Sequence, residues 1–227
     1  MVPALLRIHW PIVLTALLAI GAHYVDGGQW LHWICKPLTT LLILAMAWRL
    51  GTPGRERTGI AVGLLCSTAG DIFLMLPGDH FVAGLLSFLL AHLVYLWAFT
   101  ARAGLLARPA PYLLYALISG AILWLLWPGI PTPLRLPVAV YVVALSMMAA
   151  QAGVGWQVQR SRPALFAAIG GALFVLSDSL IAVNRFIAPF EASRAIILLS
   201  YWLAQWLIAR SLASTMRTPA GPATQAA

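Results

Sequence analysis

Residues 164–186 read ALFAAIGGALFVLSDSLIAVNRF. The stretch is apolar, lacks the strict alternation of a strand, and is long enough to cross ~30 Å of hydrocarbon as a helix. It carries a carboxylate, Asp178, in its interior. A second stretch, residues 58–76, reads TGIAVGLLCSTAGDIFLML and holds Asp71 in the same way. An ionisable group at bilayer depth costs about 3 kcal/mol or more, so it is rare unless it serves a site. The chain has six acidic residues. The other four, Asp26, Glu56, Asp79 and Glu191, fall in loops or near span ends.

The rest of the chain agrees. Of 227 residues, 62% are hydrophobic and 9% charged, with a mean hydropathy of +0.90. A soluble domain carries roughly 25% charged residues. The net charge of +8 does not point to nucleic acid, because the arginines are spread over short loops and form no basic stripe. Cys35 and Cys66 both fall within spans and read as small buried hydrophobes. The apolar run after Arg7 is long enough to span and is followed by more spans, so it reads as a first transmembrane helix and not as a cleaved signal.

The expected fold is all-α, a polytopic membrane protein of eight transmembrane helices. The limits read from the sequence are 8–24, 31–49, 58–76, 81–101, 111–127, 135–153, 164–186 and 193–212. They make one transmembrane domain over 1–213, with a disordered cytoplasmic tail at 214–227. Eight spans place both termini on one side. That side collects Arg7, Arg49, Arg55, Arg57, Arg102, Arg108, Arg160, Arg162, Arg210 and Arg217. The other has Lys36, Arg135, Arg185 and Arg194. The positive-inside rule then makes both termini cytoplasmic, and the Ala/Leu/Arg-rich composition suits a bacterial inner membrane. Trp10, Trp30, Trp33, Trp48, Trp124 and Trp127 lie near predicted boundaries, as an interfacial belt would.

Orientation fixes depth. Asp71 comes out about 7–8 Å below the outer end of its span, and Asp178 about 12 Å. Lys36, Tyr201, His92 and Gln205 fall in the same outer half or at mid-membrane. Helical spacing also groups them. Gly59, Gly63, Ser67, Gly70 and Asp71 form one stripe. Gly170, Gly171, Phe174, Ser177, Asp178 and Arg185 form another. His92 aligns with Tyr95, Tyr201 with Gln205, and Lys36 with Thr39 and Thr40. A polar cleft facing the bundle interior would satisfy them all. A faint parallel repeat is visible: an aspartate-bearing third span before a polar fourth, and an aspartate-bearing seventh before a polar eighth.

Carboxylic acids in such a cleft suit general acid and base catalysis, with Asp71 and Asp178 as the expected catalytic pair. No Gly-x-Ser-x-Gly elbow marks a serine lipase, and no His-Glu-x-x-His marks a metalloprotease. His9, His23, His32, His80 and His92 are dispersed, so no metal or organic cofactor is expected.

These residues resemble those of the YhhN-like family of eight-span membrane proteins, which includes the mammalian lysoplasmalogenases. The matching pieces are KPLTT at 36–40, GDIFLM at 70–75, GLLSFLLAHLVY at 84–95, GALFVLSDSLIA at 171–182 and YWLAQ at 201–205. The resemblance implies hydrolysis of a lysoplasmalogen vinyl ether to a fatty aldehyde and glycerophosphoethanolamine or glycerophosphocholine. It implies a lysophospholipid substrate and membrane lipids as partners. Asp71 and Asp178 would supply acid and base. Lys36, His92, Tyr95, Arg185, Tyr201 and Gln205 would bind or orient substrate, with its chain against Phe88 and Phe174. Two other classes fit the polar spans: a proton- or cation-coupled transporter, and a non-catalytic lipid-binding protein. Against transport, the spans holding Asp71 and Asp178 contain no proline to break them.

Overall fold

In the computed structural model, residues 2–213 are described. The side chains of residues 2–7 and 23, and the tail expected to be disordered, lie outside the described set. Eight α-helices follow in order: α1 (Val2–Gly21), α2 (Gln29–Leu50), α3 (Arg55–Met75), α4 (Phe81–Phe99), α5 (Pro109–Leu126), α6 (Thr132–Gln159), α7 (Arg162–Phe186) and α8 (Ser193–Arg210). Short 3-10 turns cover Ala22–Tyr24 and Trp127–Gly129. Six helices, α2 to α7, are long and apolar enough to cross a membrane. The protein is a multi-pass integral membrane protein.

Helix starts follow local chemistry. The Ser161 hydroxyl accepts from the Ala164 amide at 3.3 Å and caps α7. Proline stands in the first turn of α5, α6 and α7, where its missing N–H breaks no intrahelical bond. Helices α1 and α6 differ most from expectation. Helix α1 starts at Val2, six residues before the predicted 8, and α6 begins at Thr132 and runs on to Gln159, six residues past the predicted 153. Pro137 therefore sits inside the helix and not at its start.

The helices pack as two related halves. The most extensive pairings are α3 with α4 and α7 with α8, and α2–α3 matches α6–α7. Across the centre, α2 packs on α8 and α6 packs on α4. Each pairing recurs four helices later, as a parallel repeat requires. Glycine makes the close contacts. A Cβ at Gly63 would lie 2.2 Å from the Tyr95 ring, and one at Gly170 would lie 2.9 Å from the Ala204 carbonyl oxygen. Gly63 stands eight residues before Asp71, and Gly170 eight before Asp178.

The Gly63 contact yields a prediction. Gly63→Ala forces a methyl into the ring of Tyr95, which is fully buried. Overpacking of this kind costs about 1–3 kcal/mol. Thermal unfolding in detergent should show a clear loss for Gly63→Ala and almost none for Gly120→Ala, whose Cβ meets nothing within 4 Å. Equal midpoints for the two variants would refute the close-packing account.

One end of the bundle is tied by Arg102, which follows α4. Its guanidinium bonds Glu56 at the start of α3, the Pro163 carbonyl at 3.0 Å, and the Ser211 carbonyl and hydroxyl at 2.9 Å each. The outer perimeter is apolar. Trp10, Trp30, Trp33, Trp48, Trp124 and Trp127 are all exposed. Helix α5 is the least buried of the six candidate spans.

Candidate active site

The polar side chains inside the bundle form two sets, one around each aspartate. In the first, Asp71 on α3 is 2% exposed. Its Oδ2 accepts from Tyr201 of α8 at 2.8 Å and from Thr40 of α2 at 2.9 Å. The Lys36 ammonium, also on α2, lies 3.6 Å from Oδ1 and donates to the Asp71 carbonyl at 3.2 Å. Thr40 in turn accepts from the Trp202 indole at 3.3 Å. A carboxylate buried this deeply needs a cation and several donors, and it has both.

In the second set, Asp178 on α7 meets His92 of α4 and Tyr141 of α6. The Tyr141 hydroxyl donates to Oδ2 at 2.5 Å, and His92 Nε2 lies 3.3 Å from the same oxygen. His92 Nε2 is also 3.0 Å from the Tyr141 hydroxyl. Among the described residues, the other ring nitrogen, Nδ1, is buried without a partner. The Nε2 edge is therefore the one that ties the ring to Asp178 and Tyr141.

The two sets obey the repeat. Asp71 is held by α2 and α8, and Asp178 by the corresponding α6 and α4. They share no member. The Phe174 ring touches both, with ring centroids 4.7 Å from His92 and 5.6 Å from Tyr201. Their chemistry differs in two ways. The first set contains a cation, Lys36; the partners of Asp178 are a tyrosine and a histidine. The first set is sealed, whereas Asp178 lines a cleft.

That cleft has about 70 Å³ of free volume. Helices α4, α5, α6 and α7 form it, with Leu74 from α3. Its walls are apolar, for example Leu85, Phe88, Leu126, Val138 and Leu145. Asp178, Tyr141, Ser119 and Ser179 supply its polar side chains. Apolar walls with a few convergent polar groups are the usual form of a site for an amphiphile.

The remaining expected site residues fall as follows. Tyr95 and Gln205 meet each other, hydroxyl to Oε1 at 2.7 Å, and both are fully buried. Arg185 contacts neither Asp71 nor Asp178 and lies against Phe81 and Phe186, two residues of the cleft wall. Its guanidinium contacts Asp79 Oδ2 at 2.9 Å and stacks 4.0 Å from the Phe81 ring. The Arg185 hydrogen bond, aided by the Phe81 amide, holds the Asp79 carboxyl below its ordinary pKa. Three participants escaped the sequence reading as site residues: Thr40, Tyr141 and Trp202. Thr40 had a signal, since it shares a helix face with Lys36. Tyr141 had one only through the repeat.

Comparison with known proteins gives a consistent result. The chain is 30% identical over 203 residues to the uncharacterized membrane protein YhhN of Escherichia coli O157:H7, covering 88% of this chain and 96% of that one. It is 36% identical over 183 residues to the human protein named lysoplasmalogenase TMEM86A, covering 78% and 75%. It is 34% identical over 224 residues to a Mycobacterium bovis protein named lysoplasmalogenase, covering 91% and 84%. No solved structure matches significantly. The YhhN family profile spans residues 31–212, from the second helix of the bundle through the eighth and so across both aspartate sets, and the chain belongs to the YhhN family.

Proposed function

We propose that this protein is a lysoplasmalogenase-like hydrolase that opens the vinyl ether of a lysophospholipid. The observation that carries the reading is the apolar cleft ending on a carboxyl group, Asp178, with Tyr141 beside it. The names of the human and mycobacterial relatives support the substrate class.

The chemistry needs a proton delivered to carbon. In the proposed mechanism, protonated Asp178 donates to the vinyl carbon beta to oxygen. The double bond electrons form the new C–H bond, and the ether oxygen stabilises the cation as an oxocarbenium. Asp178, now a carboxylate, takes a proton from water as that water attacks the carbon attached to oxygen. The hemiacetal collapses to aldehyde and alcohol, its hydroxyl proton passing to the leaving ether oxygen. One carboxyl thus serves as acid and then as base, as the acid/base residue of a retaining glycosidase does. His92 and Tyr141 hold the carboxyl in place and face the same oxygen. Asp71 acts from behind Phe174 and Tyr201, setting the position of α3 and α8 with Lys36 as counter-ion.

The topology belongs to the same proposal. Helices α1 and α8 complete eight spans in one transmembrane domain over 1–213, although the described apolar part of α1 is only Ile8–Gly21. Arg49, Arg55, Arg57, Arg102, Arg108, Arg160, Arg162 and Arg210 stand at one end of the bundle, against Arg135, Arg185 and Arg194 at the other. This asymmetry supports cytoplasmic termini in a bacterial inner membrane.

The direct test is aldehyde release by the purified protein in lipid vesicles. A lysoplasmalogen should yield fatty aldehyde. The saturated 1-alkyl analogue, which has no carbon to protonate, should yield none. Absence of aldehyde from lysoplasmalogens of both headgroups would end the hydrolase reading.

A further inference from the structure

Beside Phe81 and Phe186, which line the cleft, stands a charged pair that the mechanism above does not use. Arg185, one residue before the end of α7, presents Nη2 to both oxygens of Asp79, at 3.1 and 2.9 Å. Its guanidinium lies over Phe81 at 4.0 Å and near Phe186 at 6.0 Å. Those two rings meet edge to face at 5.7 Å, and both line the cleft. The arginine is therefore held beside the cleft by aromatic contacts. Its anion is not fixed in the same way: the Asp79 side chain is 70% exposed. An exposed ion pair contributes little, so a better anion can take the place of Asp79. The flat fork of a guanidinium matches two phosphate oxygens as well as it matches a carboxylate.

We propose that Arg185 is the headgroup site of this cleft: its guanidinium binds the phosphodiester of a lysophospholipid, and Asp79 occupies it until the lipid phosphate displaces it. The proposal rests on the hydrolase reading for the identity of the lipid.

Spacing supports it. Asp178 and Arg185 are seven residues apart on α7, two turns, so they share a face about 10.5 Å apart along the axis. In the lipid, six single bonds separate phosphorus from the vinyl carbon attached to oxygen, roughly 7–8 Å when extended at ordinary bond lengths. A phosphate on Arg185 thus sets the vinyl ether beside Asp178. The hydrocarbon chain continues inward past Val175 and Leu145, beneath the sparsely packed α5. This is the orientation a lipid already has in a leaflet, headgroup at the rim and chain toward the centre.

The test is a binding measurement with lipids that cannot be cleaved. Saturated 1-alkyl-lysophosphatidylethanolamine and 1-alkylglycerol share a chain and differ in the phosphodiester. The full-length protein should prefer the phospholipid by roughly 10–100-fold, the worth of a charge-assisted phosphate contact. In Arg185→Gln that ratio should collapse toward one. Arg185→Lys, which keeps the charge and loses the fork, should fall between. In Asp79→Asn, with the resident anion gone, the ratio should rise a fewfold. Free glycerophosphoethanolamine separates a phosphate site from a lipid site: it should compete weakly, and only while Arg185 is present. An unchanged ratio in Arg185→Gln, or a fall of both affinities together, would overturn the headgroup site. Because nothing is hydrolysed, the ratio can shift as expected even in a protein that releases no aldehyde, so failure of the hydrolase reading is seen separately.

Discussion

Asp178→Asn folds, inserts and releases aldehyde at least ~10³-fold more slowly than the parent protein, within the 10²–10⁴-fold range of a positioned acid or base. An amide has the size and shape of the carboxyl, so Phe174, His92 and Tyr141 keep their packing. Its oxygen still accepts from Tyr141. What it lacks is a proton that can be given to carbon. Enol ethers have no other easy route, because water is too weak an acid to protonate carbon at neutral pH. The structural cost is small: the partners of Asp178 are a tyrosine hydroxyl and an imidazole, so the substitution strands no lysine or arginine. Thermal unfolding in detergent should therefore shift by only a few degrees. Aldehyde release can be read through a coupled dehydrogenase. A rate within tenfold of the parent would remove Asp178 from the chemistry.

The sequence showed that both aspartates are buried in helices that lipid surrounds, and the reason is physical. A polar side chain in an apolar helix must turn inward and find partners. It did not show which partners. Asp71 and Asp178 looked like one pair because both fell at similar depth. Depth is set by position along a helix, but proximity depends on which helices pack together. Helices α3 and α7 belong to different halves, and each carboxyl is held by one helix of its own half and one of the other: α2 and α8 for Asp71, α6 and α4 for Asp178. The repeat of Gly70–Asp71 and Ser177–Asp178 pointed to a shared centre for the two aspartates, whereas in the structure it relates two separate sets of partners.

Tyr141 shows where reading a single chain runs short. It stands in AVYVVALSMM, where a lone tyrosine reads as a packing residue. Nothing local separates it from Tyr115, which is half-buried on the exposed α5. Only the correspondence of α6 with α2 gives it a role, since α2 supplies Thr40 and Lys36 to the other aspartate. Arg185 is a similar case. Its spacing from Asp178 was legible, but its partner Asp79 sat in a short loop and read as a solvated acid. The helices themselves were legible to within a few residues, apart from the start of α1 and the end of α6. In α6, Pro137 looked like a helix start because four prolines crowd the segment. Pro133 holds the first turn instead, and Pro137 follows one turn later.

Asp71→Asn behaves differently from Asp178→Asn: it destabilises the protein by about 3–5 kcal/mol, the cost of removing one partner from a buried ion pair. Lys36 is 8% exposed, and without Asp71 its ammonium has lost its counter-ion in the bundle interior. Tyr201 and Thr40 would still face an amide oxygen, so the loss comes mainly from the stranded charge. Lys36→Met in the same chain removes that charge. The double variant should recover most of the lost stability, because two neutral groups of similar volume carry no desolvation penalty. It should also recover aldehyde release to within about tenfold of the parent, because the proposed proton transfers run through Asp178 alone. Unfolding midpoints and aldehyde assays on the two single variants and the double variant close the cycle. If stability returns and activity does not, Asp71 carries a proton in the reaction and the one-carboxyl mechanism fails. The asymmetry between the two half-sites makes the first outcome the expected one. The repeat builds two aspartates of equal geometry, but a cation neutralises one of them and a cleft opens onto the other.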